Sequence, residues 1–162
     1  MNWTDLVPWL LLLHIVAAIV AIGPNFAYST IRGMGRLEPQ HANFATRVSH
    51  TISDRLVYPV GLVIPATGAA MIIVLGIDLT SRAFWWLDVA IVVYAAVCLY
   101  SFFVQRTIVG RIIELTSAPP APGAVGPPPG LPALAVRAQR GGTAMLILLA
   151  FVVFLMVVKP QV

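Results

Sequence analysis

The strongest constraint on this chain is a set of four long apolar stretches, around residues 6–28, 56–76, 84–109 and 143–158, each almost free of charge. A helix that crosses a hydrocarbon layer about 30 Å thick needs roughly 20 apolar residues, and inside lipid a helix satisfies its own backbone polar groups. Composition agrees. Hydrophobic residues make up 59% of the 162 residues and charged residues only 10%. Ten Lys and Arg with six Asp and Glu are too few to cover a water-soluble fold of this size. The expectation is an all-α fold, a single domain of four transmembrane helices, with the lipid bilayer as its first partner.

The flanks bound each span. Thr4 offers an N-cap for the first, with Trp3 and Trp9 at the interface, and Gly23-Pro24 is expected to bend or end it. The second carries Pro59 and Pro65, which lipid-embedded bundles tolerate, and a kink is expected near Pro65. Trp85 and Trp86 open the third, and Gln105 and Arg106 close it. The fourth, at 143–158, reaches only about 24 Å at 1.5 Å per residue unless it extends back through Gly141. Ala17, Ala18 and Ala21 on the first span, and Ala66, Gly68, Ala69 and Ala70 on the second, read as faces for close helix packing.

Two connecting segments have their own character. In the first, Phe44, Val48, Ile52 and Leu56 recur at helical spacing, predicting an amphipathic helix that runs into the second span. Between the third and fourth spans, residues 117–135 are dense in Pro, Gly and Ala and read as an extended linker. These segments with their flanks hold Arg32, Arg36, Arg47, Arg55, Arg106, Arg111, Arg137 and Arg140, against Arg82 and Lys159 on the other side. That asymmetry puts segments 29–55 and 110–142 in the cytoplasm and both termini outside. The arginines are scattered, without the basic run of a nucleic-acid patch, so no nucleic-acid partner is expected. Cys98 is the only cysteine, so no intrachain disulfide forms.

Chemistry inside a span is carried by its polar side chains, because each is costly in lipid. His14 is the clear candidate, about 12 Å below the outer end of the first span. A neutral imidazole there serves as an axial haem or metal ligand, or it hydrogen-bonds a carbonyl, Ser or Thr of a neighbouring helix. Met71, Asp88, Thr67 and Tyr94 fall near the same depth, and Met71 is the candidate second iron ligand. His50 belongs to the opposite end and cannot share an iron with His14. Arg32, Arg47, Arg55, Arg106 and Arg111 are suited to lipid phosphates or haem propionates. No phosphate-binding loop, serine-hydrolase or zinc-protease motif is present, and no span pairs carboxylates.

The segments LLLHIVAAIVAIGPNFAYS and RVSHTISDRLVYPVGLVIPATGAAMI, with the arginine-bearing connection between them, resemble the predicted integral membrane proteins of domain of unknown function 2269. The His-bearing helix is more distantly similar to the copper-resistance D family and to HemJ-type protoporphyrinogen oxidases. That resemblance implies a four-helix membrane bundle in which His14 matches the first-helix histidine. For the HemJ-like relatives it further implies a b-type haem and redox chemistry. Ala21-Ile22-Gly23-Pro24 departs from their pattern, in which a tryptophan often precedes a glycine pair. The functional expectation is a small haem-binding or redox membrane protein, with His14 as axial ligand and Met71 or a partner's residue as the second. The alternative is an accessory subunit of a larger membrane complex, without chemistry of its own.

Overall fold

The computed structural model describes residues 3–117 and 126–160. Helix α1 spans Val7–Leu37, α2 Ala42–Ile52, α3 Tyr58–Leu75, α4 Trp85–Tyr100, α5 Arg106–Ser117 and α6 Leu131–Val158. Two π-helical turns, Ser53–Val57 and Ser101–Gln105, join α2 to α3 and α4 to α5 without a break. No strand occurs among the described residues, and the all-α, four-span architecture holds. The amphipathic helix before the second span is α2.

Two boundaries differ from expectation. Pro24 does not end the first helix, which continues to Leu37. Proline leaves the carbonyl four residues back without its donor, and the adjoining turn is held by Asn25, whose amide donates to the Ala21 carbonyl at 3.1 Å and to that of Ile22 at 3.2 Å. The last helix starts at Leu131 rather than near 143, so the end of the expected linker is helical. Gly130, at φ 83°, turns the chain into it and Pro132 sits in its first turn, where a missing N–H costs nothing. At 28 residues α6 is long enough to span. Of the expected linker, residues 118–125 lie outside the described residues.

The core is thin. Apolar residues such as Leu12, Ile19, Leu62, Ile73, Val92 and Phe154 face outward. This is the reverse of a soluble bundle and the arrangement that lipid stabilises. Helices pair off: α3 packs along α1, and α4 along α6. Ala17, Ala21 and Ile64 fill the first seam, and Trp86, Leu87, Ala90, Val152 and Leu155 the second. Tyr94 touches both clusters and a third formed by Val97, Met145 and Leu149. Its hydroxyl donates to the Gly61 carbonyl at 2.7 Å. That carbonyl lies four residues before Pro65 and therefore lacks its helical N–H, so the tyrosine on one pair occupies the acceptor that the proline frees on the other.

At the arginine-rich end, α2 packs on α5. The Asn43 amide donates to the Thr116 hydroxyl at 2.8 Å and sits 3.4 Å from the Ile113 carbonyl. The two connections that carry most of the arginines therefore share one end of the bundle. At the other end, the Thr80 N–H and hydroxyl both donate to Asp78, which holds that loop carboxyl below its usual pKa range.

Candidate functional site

His14 lies in the α1–α3 seam. Its Nδ1 is 2.9 Å from the Thr67 hydroxyl oxygen, and the ring lies beside Gly68, where a Cβ would stand in ordinary contact, 3.5 Å from His14 Cε1. Thr67 is buried, and its hydroxyl is 2.7 Å from the Val63 carbonyl and 3.0 Å from that of Ile64. The single hydroxyl proton goes to one of those carbonyls, which accept only, so Nδ1 is the donor to Thr67. The resulting tautomer leaves the Nε2 lone pair uncommitted by this bond, the arrangement in which a histidine can ligate a metal. Of the side chains expected at this depth, the structure brings Thr67 onto His14. Met71 follows Thr67 by one turn on α3. Among the described residues, no three His, Cys, Asp or Glu side chains are grouped to hold a metal ion.

His50 is 17 positions before Thr67 along a continuous run of helix, about 25 Å away along the axis. It belongs to a polar pocket of about 70 Å³ at the arginine-rich end, whose wall also includes Arg32, Tyr28, Ser53, Gln105 and Arg106. Both π turns contribute to that wall. In the first, the Tyr58 N–H reaches back five residues to the Ser53 carbonyl, next to Pro59, which has no N–H to offer. In the second, the Arg106 N–H reaches the Ser101 carbonyl in the same way. Each such turn inserts a residue into the helical register and redirects side chains, which is why π turns recur at functional sites. Tyr58 links the two, its hydroxyl donating to the Ser101 carbonyl at 3.2 Å, while the Tyr28 hydroxyl is 2.9 Å from Ser53 Oγ.

The charged rim is arranged around Asp54. Arg106 approaches both carboxylate oxygens, Nε at 3.2 Å and a terminal nitrogen at 3.3 Å, and lies over the Phe102 ring, 5.3 Å from its centroid. His50 Nδ1 is 3.4 Å from the same carboxylate. The Arg32 guanidinium rests against Gly142, where a Cβ would come within 3.5 Å of it. The neighbouring Gly141 is tighter still: a Cβ would collide with the Tyr100 hydroxyl and stand 2.7 Å from Gln105 Oε1. Gln105 is buried, with Nε2 donating to the Ala138 carbonyl at 2.9 Å and Oε1 lacking a hydrogen-bond partner among the described residues.

Below the polar pocket the helix pairs part. An apolar cleft of about 450 Å³ opens there, with Gly61 and Leu62 of α3 on one side and Tyr94, Cys98 and Leu99 of α4 on the other. Leu62, Leu99 and Phe103 on its margins are well exposed, so the cleft opens sideways toward lipid. Pocket and cleft adjoin, sharing Asn25, Val57, Tyr58, Ser101 and Met145 in their walls, the one polar at the arginine end and the other apolar along the membrane. His14 and Met71 are not among its lining residues. The sequence reading noted several of these arginines individually but missed the cleft. The available signal was Pro65 with Tyr94 at a similar depth, a freed carbonyl and a hydroxyl able to bridge helices that otherwise stand apart.

The family model described as predicted integral membrane protein (DUF2269) matches residues 8–160 of the chain. The match covers nearly the whole sequence, and the chain belongs to that family. Comparison with curated proteins and with solved structures finds no match.

Proposed function

We propose that this integral membrane protein binds an amphiphile drawn from the bilayer, with the polar end in the arginine-lined pocket and the apolar body in the cleft between α3 and α4. The observation that carries this reading is that the two spaces adjoin, with Asn25, Val57, Tyr58, Ser101 and Met145 in the walls of both. A site for a molecule with one wet and one greasy end needs both environments in contact, and a lateral opening lets such a molecule arrive without leaving the membrane. The arginine asymmetry favours an orientation with this end cytoplasmic, and the likeness of the first helix to bacterial membrane proteins favours a bacterial inner membrane. The test is extraction of the protein in mild detergent followed by mass spectrometry of whatever it retains. Wild type should carry an amphiphile at close to one per chain, and Cys98→Phe, which fills the cleft from α4, should lose it while keeping its helical circular dichroism. Wild type that retains nothing in stoichiometric amount overturns the reading.

A b-type haem on His14 is the second reading, supported by the hydrogen bond that leaves Nε2 uncommitted and by the resemblance of the first helix to HemJ-type proteins. His14 would hold the iron through Nε2, and Met71 or a residue of a partner subunit would complete the ligation. Such a haem supplies one-electron redox chemistry. Thr67 would fix the imidazole's tautomer, and the surrounding helices would keep water from it. Reduced-minus-oxidised absorption spectra decide: a Soret band at one haem per chain that disappears in His14→Ala supports it, and a featureless spectrum after haem-supplemented expression removes it. A chain that retains neither amphiphile nor pigment but copurifies with other membrane subunits is the accessory subunit.

A further inference from the structure

Resting on the amphiphile reading, we propose that the polar end of the ligand is the anionic phosphate of a membrane phospholipid, held between Arg32 and Arg106, and that Asp54 competes with it for Arg106.

Three observations carry the inference. First, the pocket wall contains two guanidinium groups, Arg32 on α1 and Arg106 at the start of α5, together with His50, and among the described residues it includes no carboxylate. Asp54, which is not one of the lining residues, has its oxygens on Arg106. A zwitterionic head would carry a further cation beside its phosphate into a space already lined by cations, whereas a net-anionic head brings its phosphate without one, and guanidinium matches phosphate through paired N–H donors.

Second, both arginines are set in place by neighbours that would hold them toward an incoming head. Arg106 lies over the Phe102 ring, and the Arg32 guanidinium lies beside Gly142. Third, the depth is that of a lipid head. Tyr28, Tyr58 and Ser101 sit where the long apolar runs give way to the arginine-bearing segments, and the cleft that would take an acyl chain begins at Tyr58 and Ser101. Basic pockets between membrane helices at this level take phospholipid heads.

Asp54 gives the site a built-in competitor. With no ligand phosphate, its carboxylate satisfies Arg106 and is approached by His50 at 3.4 Å. A phosphate that engages Arg106 must share or replace that pairing, so removing the carboxylate charge should tighten binding.

Native mass spectrometry of the detergent-solubilised full chain tests this, titrated with phosphatidylglycerol, with phosphatidylcholine of the same acyl chains, and with inorganic phosphate. Wild type should prefer phosphatidylglycerol by roughly tenfold, the scale of one charge-assisted hydrogen bond. Arg32→Gln should lose most of that preference, and Asp54→Asn should increase it. Because Arg106→Gln takes from Asp54 its arginine partner, leaving only His50 beside it, the double variant Arg106→Gln, Asp54→Asn is the matched control and should bind both lipids equally. Equal binding of the two lipids by wild type, or an unchanged preference in Arg32→Gln, overturns the assignment of an anionic head between these arginines while leaving the amphiphile reading intact. Retention of neither lipid overturns both. Displacement of phosphatidylglycerol by millimolar phosphate identifies the ligand as free phosphate and overturns the lipid assignment.

Discussion

The two seams that meet α3 differ in kind. Against α1 the helix is closed: alanines and Gly68 bring the backbones together, and the polar contact of His14 with Thr67 lies half-buried among them. Against α4 it is open, and the neighbouring helices are held by tyrosines, Tyr94 on the Gly61 carbonyl and Tyr58 on the Ser101 carbonyl, with a cleft around them. The closed seam has the residue that sequence reasoning singles out for chemistry. The open seam has the irregular backbone, the charges and the space. An intramembrane histidine is conspicuous in sequence because it is costly in lipid, and a single threonine is enough to satisfy Nδ1. A cleft is inconspicuous because it is made by residues that are individually ordinary.

Substitutions at four positions sharpen the contrast. Gly141→Ala should have the largest effect: the added methyl meets the Tyr100 hydroxyl and Gln105 Oε1 at the α4–α6 contact, and overpacking of this sort costs about 1–3 kcal/mol. Denaturant unfolding in detergent checks it, and wild-type stability would mean the contact yields easily. Thr67→Val comes next, because it leaves His14 Nδ1 without its partner in the closed seam, a loss of about 1–2 kcal/mol. If Thr67→Val unfolds like wild type, the seam is held by small-residue packing alone. Tyr58→Phe should cost less, about 0.6 kcal/mol as for an average interhelical hydrogen bond in a membrane protein, while lowering amphiphile retention because the bridge spans the cleft. Gly68→Ala should be the mildest: its Cβ would lie at ordinary contact distance from the His14 ring, 3.5 Å, and alanine is the better helix former. A destabilised Gly68→Ala would show the closed seam to be tighter than its spacing implies.

Much of this was legible in the sequence. The four spans, the amphipathic α2 and the pairing of a threonine with His14 as one of its options all follow from hydrophobic run lengths and helical rise, because both are properties of single helices. The rest depends on more than one helix. Pro24 reads as a break until Asn25 is seen turning back onto the carbonyls beside it. Gly141 and Gly142 read as the start of the fourth span, whereas in the fold they are interior to α6 and make room for Tyr100, Gln105 and Arg32. The π turns leave no trace in hydrophobic periodicity over five residues, although Pro59 stands directly after the N–H that closes the first. Arg32 and Arg106 are far apart in sequence and share a pocket only because α1, α2, α5 and α6 converge with the two π turns at one end.

The most direct test of the open seam uses the chain's single cysteine, since Cys98 lines the cleft and no other thiol competes. Alkylation of Cys98 by N-ethylmaleimide, followed by intact mass in detergent with and without added phosphatidylglycerol, reads occupancy at that position. The account predicts that the lipid slows modification in the wild type and that Arg32→Gln loses most of this protection. Equal rates of modification with and without lipid would contradict it.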